Sequence, residues 1–273
     1  MSVVTDKINS QIESLLEQGV IPWRQSWTHG RPKNMFTGSV YRGVNRFTLF
    51  DGEYWATLKQ INEHGGRLKT GSKSRYIAFY TSTTKNKDGE VENLGYWCRK
   101  YYWVFNYQDC IFPQEIIDKY IKPPIEAEQL PRAENIIQDY IIKSGVKLDI
   151  NKMNDPAYNI PEDKVKMPPI ETFDKPECYY QAMFHELGHS TGAKNRLKRE
   201  IQNSFGDKLY AREELVAELT SCYLMHDIGQ ELPPIENTAG YIQGWLKAIK
   251  DDPEILFKSA SKAEQSYEDI RGV

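Results

Sequence analysis

Residues 176–192 read Pro-Glu-Cys-Tyr-Tyr-Gln-Ala-Met-Phe-His-Glu-Leu-Gly-His-Ser-Thr-Gly, and within them His185-Glu186-Leu187-Gly188-His189 is an H-E-x-x-H sequence. On a helix, residues four apart share a face, so His185 and His189 can offer their imidazoles to one cation. Neutral nitrogen ligands suit zinc, and a glutamate between them is placed to act as base toward a water. At ordinary His and Glu frequencies, roughly one chain of this length in a hundred would carry the pattern by accident. Tyr179, Met183, Phe184 and Leu187 supply apolar side chains at helical spacing. Pro176 suits a first turn, with Asp174 just upstream, and Gly192 is expected to end the segment.

Downstream, Tyr210-Ala211-Arg212-Glu213-Glu214-Leu215-Val216-Ala217-Glu218-Leu219 is a second helical pattern with three carboxylates, too many for an ordinary core helix. Glu214 and Glu218 share a face at i, i+4, as a ligand and its supporting carboxylate often do. The plain alternative is that Glu213 and Glu214 decorate a solvated face. Glu214 followed by Ala217 and Glu218 resembles the E-x-x-A/S-[D/N/E] helix of gluzincins, metallopeptidases with two histidine ligands and one glutamate. That resemblance implies Glu214 as third ligand and Glu218 as the carboxylate that orients a ligand imidazole. Glu186 is then the candidate base, taking a proton from the attacking water and returning it to the leaving amine. Tyr210 and Arg212 are candidates to stabilise the oxyanion, or else packing and surface residues. Zinc is the expected cation, and manganese or another divalent ion could bind the same set. His226, far along this helix, reads as a C-terminal charge or packing residue.

The 273-residue chain has a formal net charge of −3, but its halves differ. Residues 1–105 hold 15 Lys and Arg against 9 Asp and Glu, and the remainder holds 20 against 29. That asymmetry points to a basic binding module followed by an acidic, enzyme-like one. Cys98, Cys110, Cys178 and Cys222 form no C-x-x-C pair and read as reduced thiols. No apolar stretch reaches the length of a membrane span, and the first residues lack the apolar core of a signal peptide. A cytoplasmic protein with no membrane partner is expected.

Both halves read as α+β. Ile8, Ile12, Leu15 and Leu16 mark an amphipathic helix that stops at Gly19. A short helix is expected over Trp55–Glu63, ended by Gly65-Gly66. Strands are expected over 75–80, around 95–98 and over 101–105, with Asp88-Gly89 at a turn. Pro113, Pro123, Pro124 and Pro131 mark a linker, giving domains of 1–112 and 132–273 joined by 113–131. Glu134–Lys143 reads as helix stopped by Gly145, 146–150 as strand and 157–167 as further sheet. Ile242, Trp245, Leu246 and Ile249 mark a helix, and Asp252-Pro253 opens the last one.

In the N-terminal half, basic residues are interleaved with aromatics, as in Trp23-Arg24, Tyr41-Arg42 and Arg75-Tyr76. Single-stranded nucleic acid is held by a positive groove with aromatic faces on which bases stack. The bland alternative is an aromatic core under an ordinary charged surface. Candidate DNA contacts are Arg24, Trp27, Lys33, Arg42, Arg46, Lys69, Lys73 and Tyr76. Trp23 reads as core, and Gly43, Asn45 and Gly71 as turn-shaping residues.

Pro22-Trp23, Asn34, Thr37-Gly38, Tyr41-Arg42-Gly43-Val44-Asn45, Trp55-Ala56-Thr57-Leu58-Lys59-Gln60, Gly71-Ser72-Lys73 and Val104-Phe105-Asn106 resemble the N-terminal domain of the ArdC antirestriction family. The same region is found in TraC-type plasmid primases. His185–His189, Arg196-Leu197, Tyr210–Glu218 and Tyr241-Ile242-Gln243-Gly244-Trp245-Leu246 resemble that family's zincin-like domain. The resemblance implies an N-terminal single-stranded DNA-binding domain and a C-terminal, gluzincin-like metallopeptidase domain with an unidentified protein or peptide substrate. It also implies carriage on plasmids or other mobile elements and protection of incoming DNA from restriction. Cys110 departs from the family's pattern, and priming activity is not expected. Two alternatives stay open: a protective binding protein whose zincin domain is structural or inactive, and a peptidase with a protein-recognition N-terminal domain.

Overall fold

The computed structural model describes residues 3–24, 31–85, 91–121, 129–201, 208–230, 232 and 238–273; the side chains of 24, 84–85, 91–93, 96–97, 129–130, 208–211 and 238–239 fall outside that description. The chain divides into two compact units. Neither is a continuous stretch of sequence. The first comprises residues 1–22, 32–123 and 242–254; the second comprises 23–31, 124–241 and 255–273. The segment beginning at Trp23 therefore belongs with the metal-motif helices, and most of the helix marked by Trp245 belongs with the N-terminal half.

In the first unit, α1 (Val3–Glu17) buries Ile8, Ile12, Leu15 and Leu16, the stripe expected from its periodicity. Gly19 follows at φ 79°, the left-handed conformation that ends a helix. Each fully buried aliphatic side chain contributes about 1.5–3 kcal/mol. A four-stranded sheet runs in the order β1 (Lys33–Asn34), β2 (Tyr54–Ala56), β5 (Val91–Asn106), β4 (Ser74–Lys85). β1 pairs parallel to β2, and the other pairings are antiparallel. Between β1 and β2 lies the one-turn α2 (Asn45–Thr48).

Trp55 is in strand, not helix. Tyr54, Trp55 and Ala56 are all buried because β2 lies inside the sheet. The helix α3 (Leu58–Glu63) starts only after Thr57, whose hydroxyl accepts from the Gln60 N–H while the Gln60 side chain accepts from the Thr57 N–H. That capping box sets the boundary. β3 (Arg67–Leu68) pairs with β6 (Cys110–Ile111). The proline-marked stretch expected as a linker starts with structure: Pro113 precedes α4 (Gln114–Tyr120), and Ile116, Ile117 and Tyr120 pack on the cluster of Met35, Ile61 and Phe112.

β4 is an edge strand, and two side chains occupy its outward backbone groups. Asn45 Nδ2 donates to the Ala78 carbonyl at 2.7 Å while Asn45 Oδ1 accepts from the Ala78 N–H at 2.8 Å. Gln11 Oε1 accepts from the Tyr76 N–H at 2.9 Å. Open strand edges invite pairing with other chains, and these amides close that route. Asn45 thus shapes the fold, as expected, through an edge rather than a turn.

In the second unit, α5 (Gln129–Ser144) begins a turn earlier than its apolar pattern suggested and stops before Gly145 at φ 70°. A three-stranded sheet follows in the order β7 (Lys147–Ile150), β9 (Lys164–Met167), β8 (Ala157–Asn159), with β8 antiparallel at one edge. Next come α6 (Pro176–Ser190), α7 (Lys208–Asp227) and α9 (Ile255–Arg271). α8 (Thr238–Asp251) crosses the boundary between the units at Tyr241. Pro176 occupies the first turn of α6 as expected, but the capping position is Lys175 and makes no side-chain cap. α7 is buried almost all round from Leu215 to Met225, so it is a central helix. Arg196 ties the end of α6 to the sheet: its Nε donates to the Ser190 carbonyl at 2.7 Å, and its guanidinium pairs with Asp163 and Tyr158.

Two outcomes follow from these contacts. Asn45→Ala should lower unfolding stability by about 1–3 kcal/mol in urea titrations; a loss under about 0.5 kcal/mol would mean that water replaces the amide. The Arg196 guanidinium holds the Asp163 carboxyl below its ordinary value of 3.8. A depressed folded-state pKa contributes stability that is full above the unfolded value and lost as pH falls through the folded one. The stability gap between the parent and Asp163→Asn should therefore be present at pH 6 and shrink below about pH 4; a gap independent of pH would contradict the ion pair.

Candidate metal centre

α6 and α7 approach closely because residue 188 has no side chain. A Cβ on Gly188 would lie 3.2 Å from the Ala217 Cα and 3.3 Å from the Thr220 Cβ. The approach places the half-buried imidazoles of His185 and His189 opposite the N-terminal part of α7, where Glu213 and Glu214 stand.

His185, His189 and Glu214 each offer one ligand atom, and these atoms lie within 4.8 Å of one another. The two Nε2 atoms are 3.1 Å apart. Glu214 Oε2 is 3.6 Å from His185 Nε2, and Glu214 Oε1 is 3.5 Å from His189 Nε2. Two nitrogens bound tetrahedrally at about 2.0–2.1 Å to one zinc would be about 3.3 Å apart. Separation and donor chemistry therefore fit a single divalent ion. Burial pulls the His185 pKa down, but Glu214, Glu186 and Glu218 outweigh it and leave that imidazole above 6.5. The cluster is a site of concentrated negative potential, as a cation requires.

The Nδ1 atoms face away, each toward another carboxylate of α7. His189 Nδ1 is 3.4 Å from Glu213 Oε1, and His185 Nδ1 is 3.9 Å from Glu218 Oε2. Glu218 thus lies where an orienting carboxylate is expected, though at a long distance. Glu213 is not the solvated decoration considered from sequence. It is buried and held by Arg199, whose Nε and Nη2 donate to its two oxygens at 2.9 and 2.8 Å. Arg199 also donates to the Gly188 carbonyl and to the hydroxyls of Thr191 and Ser266. Burial raises the Glu213 pKa, but Arg199 and His189 outweigh it and leave it below 4.5. Arg199 carries no sequence motif; the one signal was a carboxylate directly preceding the candidate ligand Glu214.

Glu186 is buried on α6. Tyr210 lies on α7 with its side chain outside the described set. Arg212 lines a groove of about 430 Å³ with Arg199, Lys262 and Gln265. His226 is buried in the last turn of α7, in line with a packing role.

The DNA candidates scatter. Trp27 lies outside the described residues, and so does the Arg24 side chain. Arg24 also falls in the second unit. Arg46 is 0 % exposed on α2, so its selection as a DNA contact is corrected: charge and neighbouring motif do not reveal which side of a one-turn helix faces inward. Lys33 is paired with Glu53 at 2.6 Å. Lys69 is exposed, with its Nζ donating to the Gln108 carbonyl at 2.6 Å. Arg42 and Lys73 are exposed, and Tyr76 packs against Trp103 with ring centroids 3.8 Å apart.

The Arg199–Glu213 pair is buried on both sides, so breaking it leaves an uncompensated charge. Arg199→Met should cost about 3–5 kcal/mol of stability. The double variant Arg199→Met/Glu213→Gln should recover part of that loss. Additive losses in denaturant titrations would contradict a coupled pair.

Among the described residues, no helix is long and apolar enough to cross a membrane. A model of the N-terminal domain of anti-restriction factor ArdC matches residues 2–105, and a zincin-like metallopeptidase model matches residues 131–262. The chain is 29 % identical, over 96 % of its length and 89 % of the relative, to the uncharacterized protein y4eC of Sinorhizobium fredii (strain NBRC 101917 / NGR234). It is also 29 % identical over 97 % of its length to a DNA primase TraC of Escherichia coli, of which it spans 27 %. Crystal structures of antirestriction ArdC from plasmid R388 superpose in metal-free and Mn(II)-bound forms. Their TM-scores are 0.75 and 0.76 at 27 % and 28 % identity, covering 99 % and 100 % of this chain and 97 % and 98 % of those. A zincin-like domain implies a divalent metal, and the donor set described above suits one. With both models matched in order along one chain that shares its fold with the R388 protein, the chain belongs to the ArdC-type antirestriction protein family.

Proposed function

We propose that the chain binds single-stranded DNA through its first unit and hydrolyses a peptide bond of a protein partner at a zinc centre in its second. The observation that carries the peptidase reading is the convergence of His185 Nε2, His189 Nε2 and the Glu214 carboxylate, with a buried glutamate on the same helix. A divalent cation held by these three side chains would supply Lewis acidity for attack of water on a carbonyl. Glu186 would accept a proton from that water at its carboxylate and return it to the leaving nitrogen. Glu213 and Glu218 would fix the two imidazoles with Nε2 inward. Zinc is the preferred ion, and manganese, present in a form of the R388 relative, is the second.

For DNA, the support lies on one face of the β4–β5 ribbon. Tyr76 pairs directly with Trp103, Ala78 with Tyr101 and Tyr80 with Arg99, so these side chains share a face. Trp103 and Tyr80 are about half exposed, at 47 % and 57 %. Lys7 Nζ lies 4.9 and 5.2 Å from the Tyr76 and Tyr101 ring centroids. Beside them a groove of about 720 Å³ between α1 and β4 is lined by Lys7, Lys73, Arg75 and Tyr76. Cations over flat rings are what a stacked, phosphate-bearing strand requires. Trp103 joins Tyr76 and Lys73 as a candidate contact that sequence ranking passed over.

Glu186→Gln should retain metal and single-stranded DNA affinity within about twofold while abolishing hydrolysis, a loss on the order of the 10²–10⁴-fold that a positioned base supplies. If that variant protects transferred DNA as well as the parent does, protection is a binding function and proteolysis is not its protective step.

A further inference from the structure

Behind the His185–Glu218 contact runs a chain of polar groups from three separate segments of the second unit. Glu218 Oε1 accepts a hydrogen bond from the Tyr241 hydroxyl at 3.3 Å. That hydroxyl accepts in turn from the Trp23 indole N–H at 3.1 Å. Trp23 is fully buried. An indole N–H is a donor only, so it fixes the direction of the chain: Trp23 donates to Tyr241, leaving the Tyr241 proton free to point at Glu218. The other carboxylate oxygen, Oε2, lies 3.9 Å from His185 Nδ1, an ion-pair distance longer than a hydrogen bond.

We infer that Tyr241 is a positioning residue for the metal ligand His185, acting through Glu218 and itself oriented by Trp23, a residue 162 positions before the ligand it serves. His185 and His189 are then supported differently. Glu213, behind His189, is held by a charged guanidinium close at hand in sequence. Glu218, behind His185, accepts from two neutral donors, the Tyr241 hydroxyl and, more distantly, the Cys222 thiol, and Tyr241 accepts in turn from Trp23 near the other end of the chain. A carboxylate free to rotate would present either oxygen, or neither, to the imidazole. Fixing Oε1 leaves Oε2 aimed at Nδ1, which selects the tautomer with Nε2 open toward the cation. Trp23 thus supports the metal centre, although the basic, aromatic stretch around it reads from sequence as part of the DNA module.

This inference rests on the metal-centre reading above, and the test separates the two. The full-length chain is loaded with Co(II), its visible absorption recorded, and Co(II) and Zn(II) affinity measured by competition with a chelator, for the parent, Glu218→Gln, Tyr241→Phe, Trp23→Phe and the Tyr241→Phe/Trp23→Phe pair. Removing a supporting partner of a ligand imidazole typically weakens metal about 10–100-fold, and Glu218→Gln should fall in that range. Tyr241→Phe, one bond further out, should weaken it about three- to tenfold and shift the Co(II) bands. Trp23→Phe should weaken it less, and the pair should match Tyr241→Phe alone because the indole acts through the hydroxyl. Thermal melting of the metal-free variants within a few degrees of the parent shows that folding is not what changed. Affinity within twofold and an unshifted spectrum for Tyr241→Phe, with Glu218→Gln weakened, would overturn the inference while leaving the metal centre intact. Additive effects of Tyr241→Phe and Trp23→Phe would overturn the relay through the hydroxyl. A parent that takes up no metal would defeat the metal-centre reading itself.

Discussion

The crossing of α6 over α7 at Gly188 is the constraint on which the metal centre depends. A methyl group there would meet the Ala217 backbone at 3.2 Å, tighter than most ordinary carbon contacts, so the packing would have to give by a few tenths of an ångström. At this spacing the Glu214 carboxylate lies 3.6 and 3.5 Å from two imidazoles a turn apart on α6. The same crossing puts Glu213 and Glu218 behind the two rings, one on each. Arg199 then fastens the arrangement from outside, since it reaches the Gly188 carbonyl, Glu213 and the Ser266 hydroxyl of α9 together. Backbone geometry, ligand orientation and burial of charge are thus solved by one close contact and one guanidinium.

What the sequence revealed and what it hid follow from the range of the interactions. The H-E-x-x-H helix was legible because its histidines are four apart on one element, and α7 because its carboxylates recur at i, i+4; the choice of Glu214 as candidate ligand came from the gluzincin resemblance. Gly19 and Gly145 ended helices as read, since a left-handed φ is a local requirement that glycine meets. Trp55 misled because its apolar neighbours suit either a buried strand or a helix; only the Thr57–Gln60 capping box, also present in sequence, separated the two. The family resemblance, carried by motifs spread along the whole chain, was sound.

Long-range pairing was not legible. Glu213 next to Glu214 looked like surface charge because its partner, Arg199, precedes it in sequence at a spacing that no helical or strand pattern connects to it. Arg46 looked like a DNA contact because a positive charge beside an aromatic carries no mark of which side of α2 is buried. The discontinuity of the units was hidden for the same reason: Trp23 and the 242–254 segment each belong with residues more than a hundred positions away. Proline spacing suggested a linker where α4 packs its isoleucines on Phe112.

The proposed chemistry depends on a single divalent ion held by His185, His189 and Glu214. The most direct test is anomalous diffraction from crystals of the full-length chain grown with Zn(II) or Mn(II), recorded on either side of each metal's absorption edge. The account predicts one dominant anomalous peak, about 2.0–2.2 Å from His185 Nε2, His189 Nε2 and a Glu214 oxygen. Glu213 and Glu218 should lie outside its coordination sphere. No peak at saturating metal, or a peak held by Glu213 or Glu218 in place of Glu214, would contradict it.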